Sequence, residues 1–181
     1  MAVIPEGAYH MHAAMRKAYE LEREGLEFYI GSAIKSRNAL IKKALFSLAQ
    51  DEIRHMMKID EISLSLDTSG KWPGEETGLK GSDIEIAIKE FFVKTGREVL
   101  NESKDNADLI KTAMEFERKS FELYDDLGTK AQSNSEKIFY EELKKQEEMH
   151  FDALENIYYY LTKTGDWLSR DESNVWNWMN S

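Results

Sequence analysis

Sliding the chain along itself by 95 residues lays one stretch on another without a gap. Ala18, Glu20, Glu22, Arg23, Glu27, Tyr29 and Lys35 fall on Ala113, Glu115, Glu117, Arg118, Glu122, Tyr124 and Lys130. Further along, Lys42, Leu48, Glu52, His55 and Ile62 fall on Lys137, Leu143, Glu147, His150 and Ile157. That makes 12 identities over 45 positions, where ordinary residue usage gives about three by chance. Within each copy, apolar and small residues recur at spacings of three and four, the period of a helix buried on one side. The chain is therefore read as a duplicated helical hairpin, each copy supplying the apolar face the other needs.

The boundaries follow from turn chemistry. The first helix is expected over about Ala8 to Ser36 and the second, after a polar turn at Lys35 to Asn38, over about Ala39 to Leu66. Asp67 to Gly81 is the one long stretch rich in turn residues and reads as a crossover. Ser82 or Asp83 caps a shorter helix reaching about Val99. Its Ile84, Ile86 and Ile88 alternate like a strand, but Phe91 and Phe92 favour a helix. A third long helix is expected from Asp105 to Leu127, with Gly128 as a left-handed stop. Ser133 followed by Glu136 resembles a capping box, opening a fourth that continues to about Thr162, with Gly165 beyond. The expectation is an all-α chain, with a bundle domain over 1–165 and a crossover at about 67–103. A tail over 166–181, carrying Trp167, Trp176 and Trp178, packs on the bundle or on a partner subunit.

Composition narrows the chemistry. There is no cysteine, which removes disulfides, thiolate zinc sites and iron–sulfur clusters. A net charge of −10 opposes nucleic acid and anionic lipid as partners. No apolar run approaches the ~20 residues of a membrane helix, and the start, Met1 to Glu6, lacks the basic and apolar regions of a signal peptide. A cytoplasmic protein is expected.

The inward stripes carry residues that do not belong in an apolar core. The first helix turns Met15, Ala18, Glu22, Gly25 and Tyr29 inward, and the second turns Ile41, Leu45, Leu48, Glu52, His55, Ile59 and Ile62. The third gives Ile110, Ala113, Glu117, Ser120 and Tyr124, and the fourth Tyr140, Leu143, Glu147, His150, Leu154 and Ile157. Four carboxylates and two imidazoles thus converge, with no Lys or Arg on the stripes to pair them. Unpaired, each buried carboxylate costs several kcal/mol (roughly) or takes up a proton. Two divalent cations balance the four charges. Each histidine follows a glutamate by three residues and shares its face of the helix. One Glu from each of two helices and a Glu-x-x-His from each of two others is the donor pattern of dimetal carboxylate bundles.

Other candidates are weaker. Tyr29 and Tyr124, two turns beyond Glu22 and Glu117, are either core aromatics or donors that orient the carboxylates. Met56 and Met149 read as gap-fillers, and His10 and His12 as parts of a solvated terminus. Glu20, Glu24, Glu27, Glu115 and Glu122 lie on outer faces. Asp51 and Glu148, next to the inward glutamates, are expected to point about 100° away from the site.

The segments Glu22 to Tyr29, Glu52-Ile53-Arg54-His55, Glu117 to Tyr124 and Glu147-Glu148-Met149-His150 resemble the ferritin-like superfamily, and within it the rubrerythrin-like di-iron proteins. The resemblance spans both hairpins, and Asp166-Trp167 with Trp176 loosely resembles the end of stand-alone relatives. It implies a four-helix bundle with one long crossover and two irons per chain, with manganese or zinc as substitutes. The implied ligands are Glu22, Glu52, His55, Glu117, Glu147 and His150. The implied activity is reduction of hydrogen peroxide, or activation of dioxygen, by a non-haem di-iron oxidoreductase. Its implied partners are a separate electron donor, such as a rubredoxin-like protein, and a second copy in a homodimer. A ferroxidase or iron-storage role is the alternative, and metal as structural glue a third. Two features depart from the family. Rubrerythrins proper append a four-cysteine rubredoxin domain, and they carry an extra glutamate where this chain has Ser120. The iron movement linked to peroxidase turnover therefore does not carry over with the ligands.

Overall fold

The computed structural model describes the backbone of residues 6–73, 79, 81–95 and 104–162, and the side chains of 13–73, 79, 81–91, 93 and 105–162. The chain is all-α there: α1 (Glu6–Lys35), α2 (Ala39–Ser69), α3 (Ile84–Thr95), α4 (Lys104–Lys130) and α5 (Asn134–Thr162), with no strand among the described residues. None of these helices is long and apolar enough to cross a membrane. The tail from 166, the side chains of His10 and His12, and the expected end of the short helix at Val99 lie outside the described residues.

Local chemistry sets the ends. Asn38 opens α2, its side chain accepting from the Ile41 N–H at 3.1 Å, which satisfies one of the orphan donors of a helix start. Gly70 closes it at φ 67, with its N–H on the Leu66 carbonyl at 2.9 Å. Only glycine takes that left-handed turn without steric cost, so α2 runs one turn past the expected Leu66. Ser133 caps α5 through the Glu136 N–H at 3.1 Å, and the Glu136 carboxylate reaches back to the Gln132 N–H at 2.8 Å. The Ser82 hydroxyl accepts from the Ile84 N–H at 3.2 Å and starts α3.

Gly128 is not a stop. It is right-handed and lies inside α4, which ends two residues later at Lys130. Lys130 holds Asp126 one turn back at 2.6 Å, and its charge sits at the helix C-terminus, where the macrodipole favours a cation. Together these offset the ~1 kcal/mol that a glycine costs inside a helix.

Packing pairs α1 with α2 and α4 with α5, with α3 lying mainly on α2. One apolar cluster joins Ala33 of α1 and Leu40, Ile41 and Leu45 of α2 with Ile110 of α4 and Leu154 and Ile157 of α5. A second joins Met15, Ala18, Ile59, Ile62 and Leu66 with Tyr124, Tyr140 and Leu143. The late part of α1 thus meets the early part of α4, and α2 stands to α5 in the same way, so both pairs are antiparallel. Ile84, Ile88 and Phe91 seat α3 in the first cluster. The inward stripes read from the sequence are buried as expected. Between the two apolar clusters lies a slab of the interior that is not apolar at all.

Candidate metal centre

That slab is built by the mid-length residues of four helices: Glu22 from α1, Glu52 and His55 from α2, Glu117 from α4, and Glu147 and His150 from α5. Their exposures run from 0% to 3%. The i, i+3 spacing stacks each histidine on its glutamate's face of the helix. His55 Nδ1 lies 3.1 Å from Glu22, 3.6 Å from Glu52 and 3.4 Å from Glu147. His150 Nδ1 lies 3.2 Å from Glu117 and 3.7 Å from Glu147. The two imidazoles face each other, centroids 6.0 Å apart and 22° from parallel.

Two donor sets emerge from this geometry. Glu52, Glu117, Glu147 and His150 bring ligating atoms within 4.8 Å of one another, and so do Glu22, Glu52 and His55. Glu52 belongs to both, the position of a bridge. Gly25 lies directly against it: a Cβ there would stand in van der Waals contact with Glu52 Oε1, 3.4 Å away.

Whether the residues fit a cation is decided by what they lack. Both carboxylate oxygens of Glu147 and one of Glu52 are buried without a hydrogen-bond partner, a rare and costly condition for a polar atom. Without metal, protons take the place of cations. Burial pushes the Glu147 carboxyl well above the usual carboxylate range, and the charges of Glu22, Glu117 and Glu52 add to the push. Burial raises Glu52 too, against the opposing pull of His55. Burial would lower both imidazoles, but the carboxylates win: Glu22 leads in holding His55 well above its usual value, and Glu117 in holding His150. Glu117 goes the other way. Burial lifts it, yet His150 and the hydroxyl of Tyr29 hold it below the ordinary range. Four carboxylates and two imidazoles in a closed volume fit hard or borderline divalent cations. The buried Glu/His groups of this chain can hold a metal ion.

The surrounding groups orient the donors. Tyr29 donates to Glu117 Oε1 at 2.6 Å and Tyr124 donates to Glu22 Oε1, each tyrosine serving the carboxylate of the other repeat. Both rings are buried. Glu20, Glu24, Glu27, Glu115, Glu122 and Glu148 are exposed, and Met56 and Met149 are half-buried.

Asp51 departs from expectation. It does not turn to solvent but is fully buried, with Oδ2 3.1 Å from His150 Nε2. Ser82 donates to the same oxygen at 2.5 Å, and Arg54 pairs with the other. On the far side, Gln146 Oε1 lies 3.0 Å from His55 Nε2. Asp51 and Gln146 are 95 residues apart, so each repeat sends the residue before its glutamate to the other repeat's histidine. An acceptor at Nε2 fixes the proton there and aims the Nδ1 lone pair at the carboxylates. A helix packed against two neighbours buries an arc wider than one stripe, which is why a residue 100° off the centre line still faces protein. Since the two residues differ in type, they are absent from the identities that revealed the duplication. Their shared place before the glutamate was the available signal.

No family model, curated protein or solved structure matches this chain.

Proposed function

We propose that the chain is a ferritin-like, rubrerythrin-like di-iron protein that reduces hydrogen peroxide, or activates dioxygen, with electrons from an external donor. The observation that carries this reading is Glu147, fully buried with neither carboxylate oxygen hydrogen-bonded. A buried carboxylate in that condition is completed by a proton or by a cation, and the glutamates and histidine around Glu147 form a donor set for a cation. The duplicated hairpins, the bridge position of Glu52 and the count of four acids against two cations support the same reading.

In this arrangement Glu22, Glu52 and His55 would hold one ion, and Glu117, Glu147 and His150, with Glu52 common to both sets, would hold the other. Loaded with two irons, the site supplies a two-electron couple suited to reducing peroxide to two waters as two protons arrive. The chain supplies the rest. Tyr29 and Tyr124 pin the carboxylates of Glu117 and Glu22. Asp51 and Gln146 keep the Nε2 protons of the histidines and so prevent the rings from turning. The two apolar clusters above and below exclude bulk water. These 181 residues contain no cysteine, so no thiol or iron–sulfur group among them returns the electrons, and the reading assigns that task to an external donor.

An anaerobic Fe(II) titration, followed by separate mixing with peroxide and with dioxygen, tests the reading. Two ions per chain and rapid oxidation by peroxide are expected. Uptake far beyond two with little peroxide reaction transfers the protein to iron storage. Glu52→Ala and Glu147→Ala are each expected to lose metal, and retention of both ions by either variant counts against the assignment.

A further inference from the structure

The aromatic surroundings of the two tyrosines of the donor layer differ in kind. Tyr29 rests edge-on against Phe28 and Phe116, which stack on each other at 4.7 Å. Tyr124 instead lies beside Tyr140, centroids 6.3 Å apart and 17° from parallel. Tyr140 meets Phe139 at 5.5 Å, and Phe139 meets Trp72 at 5.7 Å, separations of packed aromatic pairs. Four rings thus follow one another from the Glu22 carboxylate, to which Tyr124 donates, to the half-buried Trp72, whose neighbours Lys71 and Pro73 are exposed. The turn after α2 is pinned where it holds that last ring. The Ser65 hydroxyl donates to the Lys71 carbonyl at 2.8 Å, and the Lys71 N–H donates to Ser69 Oγ at 3.2 Å. Packing alone does not account for the residue types. Tyr140 and Phe139 stand where the first repeat has Leu45 and Ala44, and Leu45 is as fully buried as Tyr140. The Tyr140 hydroxyl and the Trp72 indole N–H are both buried without a hydrogen-bond partner. Each carries a desolvation penalty that an apolar side chain in the same space avoids, so each calls for a reason beyond filling the core.

We propose that Tyr124, Tyr140, Phe139 and Trp72 form an electron path, by which a one-electron donor that meets the chain at Trp72 feeds the donor layer. The proposal rests on the di-iron reading for its oxidant, peroxide; the path itself belongs to the chain. Electron transfer through protein weakens exponentially with distance, and oxidisable rings in succession divide one long step into short ones. Tyr124 is the inner station. As its ring yields an electron to the layer, its hydroxyl proton passes along the hydrogen bond to the Glu22 carboxylate. Trp72 is the outer station. An electron from Trp72 refills Tyr124, the proton returns from Glu22, and the external donor refills Trp72. Each passage oxidises the donor by one electron and leaves every bond of the chain as it was. Two passages, with two protons from solvent, account for one peroxide reduced to two waters. Tyr140 lies between the stations as a bridge. Its electron-rich phenol is nearer in energy to the oxidised stations than the side chain of leucine or phenylalanine. With no acceptor its proton stays, all the more because burial raises the ionisation of this phenol, so the electron vacancy does not come to rest there. Tyr29 donates to Glu117 as Tyr124 donates to Glu22, but the rings it touches, Phe28 and Phe116, are not oxidised by a tyrosyl vacancy. The two repeats thus share the inner station, and the second repeat's station continues outward.

The path is tested in metal-free protein, apart from the metal assignment. Lys71 is exposed and the chain has no cysteine, so Lys71→Cys takes a single ruthenium polypyridyl photo-oxidant beside Trp72. After a flash with an added electron acceptor, transient absorption is expected to show a tryptophan radical that gives way to a tyrosyl radical. Tyr124→Phe, which removes one hydroxyl, should leave the tryptophan radical without its tyrosyl successor, and Trp72→Phe should abolish both signals. Tyr140→Phe should slow the handover and Tyr140→Leu, the first repeat's solution, should slow it further, with the fold of each checked by circular dichroism. A tyrosyl signal that survives Tyr124→Phe, or that is lost in Tyr29→Phe or Tyr19→Phe instead, overturns the path. A handover indifferent to Tyr140→Leu overturns the bridge. In iron-loaded protein, Trp72→Phe should leave oxidation by peroxide intact and slow re-reduction by a photoreduced one-electron carrier. Re-reduction unchanged by Trp72→Phe overturns Trp72 as the point of entry. Loaded protein that peroxide does not oxidise, with the metal-free handover intact, overturns the di-iron reading and leaves the path standing.

Discussion

The two halves of the molecule agree on what faces the centre of the donor layer and disagree immediately behind it. Each contributes a glutamate, a Glu-x-x-His pair and a tyrosine that bonds across to the other half. Behind the histidines the match ends. His150 leans on Asp51, a carboxylate that also holds Arg54 and the Ser82 hydroxyl at the foot of α3. His55 leans on the neutral amide of Gln146. Groups that must converge on one point are constrained from every side, so duplication leaves them alike. Groups that need only accept one hydrogen bond have two chemical solutions, and the halves have taken different ones.

An ionised acceptor makes the imidazole in front of it a stronger donor than an amide does. His150, the histidine that Asp51 backs, also belongs to the larger donor set, Glu52, Glu117, Glu147 and His150. Two separable binding steps are therefore expected in a titration with Mn(II) or Co(II). Asp51→Asn should weaken the tighter step by about 10- to 100-fold and leave the other nearly unmoved, while Gln146→Asp strengthens the weaker. Equal weakening of both steps by Asp51→Asn would break the comparison. Ser82→Ala separates the two duties of Asp51, because it loosens the tie to α3 while keeping the carboxylate behind His150.

Metal-free protein sharpens the contrast within the layer. Glu147 and Glu52, with His55 and His150, bind protons more tightly folded than unfolded. For such groups the stabilisation is complete below the unfolded value and is lost as pH rises through the folded one. The loss begins above 4.5 for the two acids and above 6.5 for the imidazoles. Glu117, held below its ordinary value, has the opposite sign, and its contribution disappears only in more acidic solution. Urea midpoints measured with chelator should therefore fall from pH 5 to pH 8, and bound metal should flatten the slope. Glu147→Gln, which removes the charge and keeps the shape, should raise the metal-free unfolding free energy at pH 8 by about 1–2 kcal/mol. It should abolish the metal-induced gain. A midpoint that climbs with pH would mean that the layer is not short of cations.

These contrasts mark where the sequence was legible. Glu22, Glu117 and the two Glu-x-x-His pairs stood out because a 3.6-residue period turns them inward and no basic residue accompanies them. The Tyr29 and Tyr124 positions were readable, but their crossing between repeats was not, since periodicity gives a direction and not a partner. Asp51 was hidden because its burial depends on α3 and α5 lying over one flank of α2, a property of packing rather than of one helix. Gly128 misled for a similar reason: its backbone choice is settled by Lys130 and Asp126 at the close of α4, beyond what a glycine announces alone.

The smallest expected effect tests the most faithful part of the duplication. Asn38 and Ser133 stand 95 residues apart and cap α2 and α5 with bonds of 3.1 Å each. The residue types differ, yet the bond is the same: a side-chain oxygen satisfying the N–H three residues on. Asn38→Ala and Ser133→Ala should therefore each cost about 1 kcal/mol in thermal or urea unfolding. The penalties should be similar, because each removes one acceptor from a partly buried helix start. They should also add, since the two caps share no partner. Ser133 has one further connection, through Glu136 to the Gln132 N–H, for which α2 offers only the apolar Ile41. If Ser133→Ala proves clearly the costlier, the two bonds of the box act together, and the second repeat holds its turn more firmly than the first.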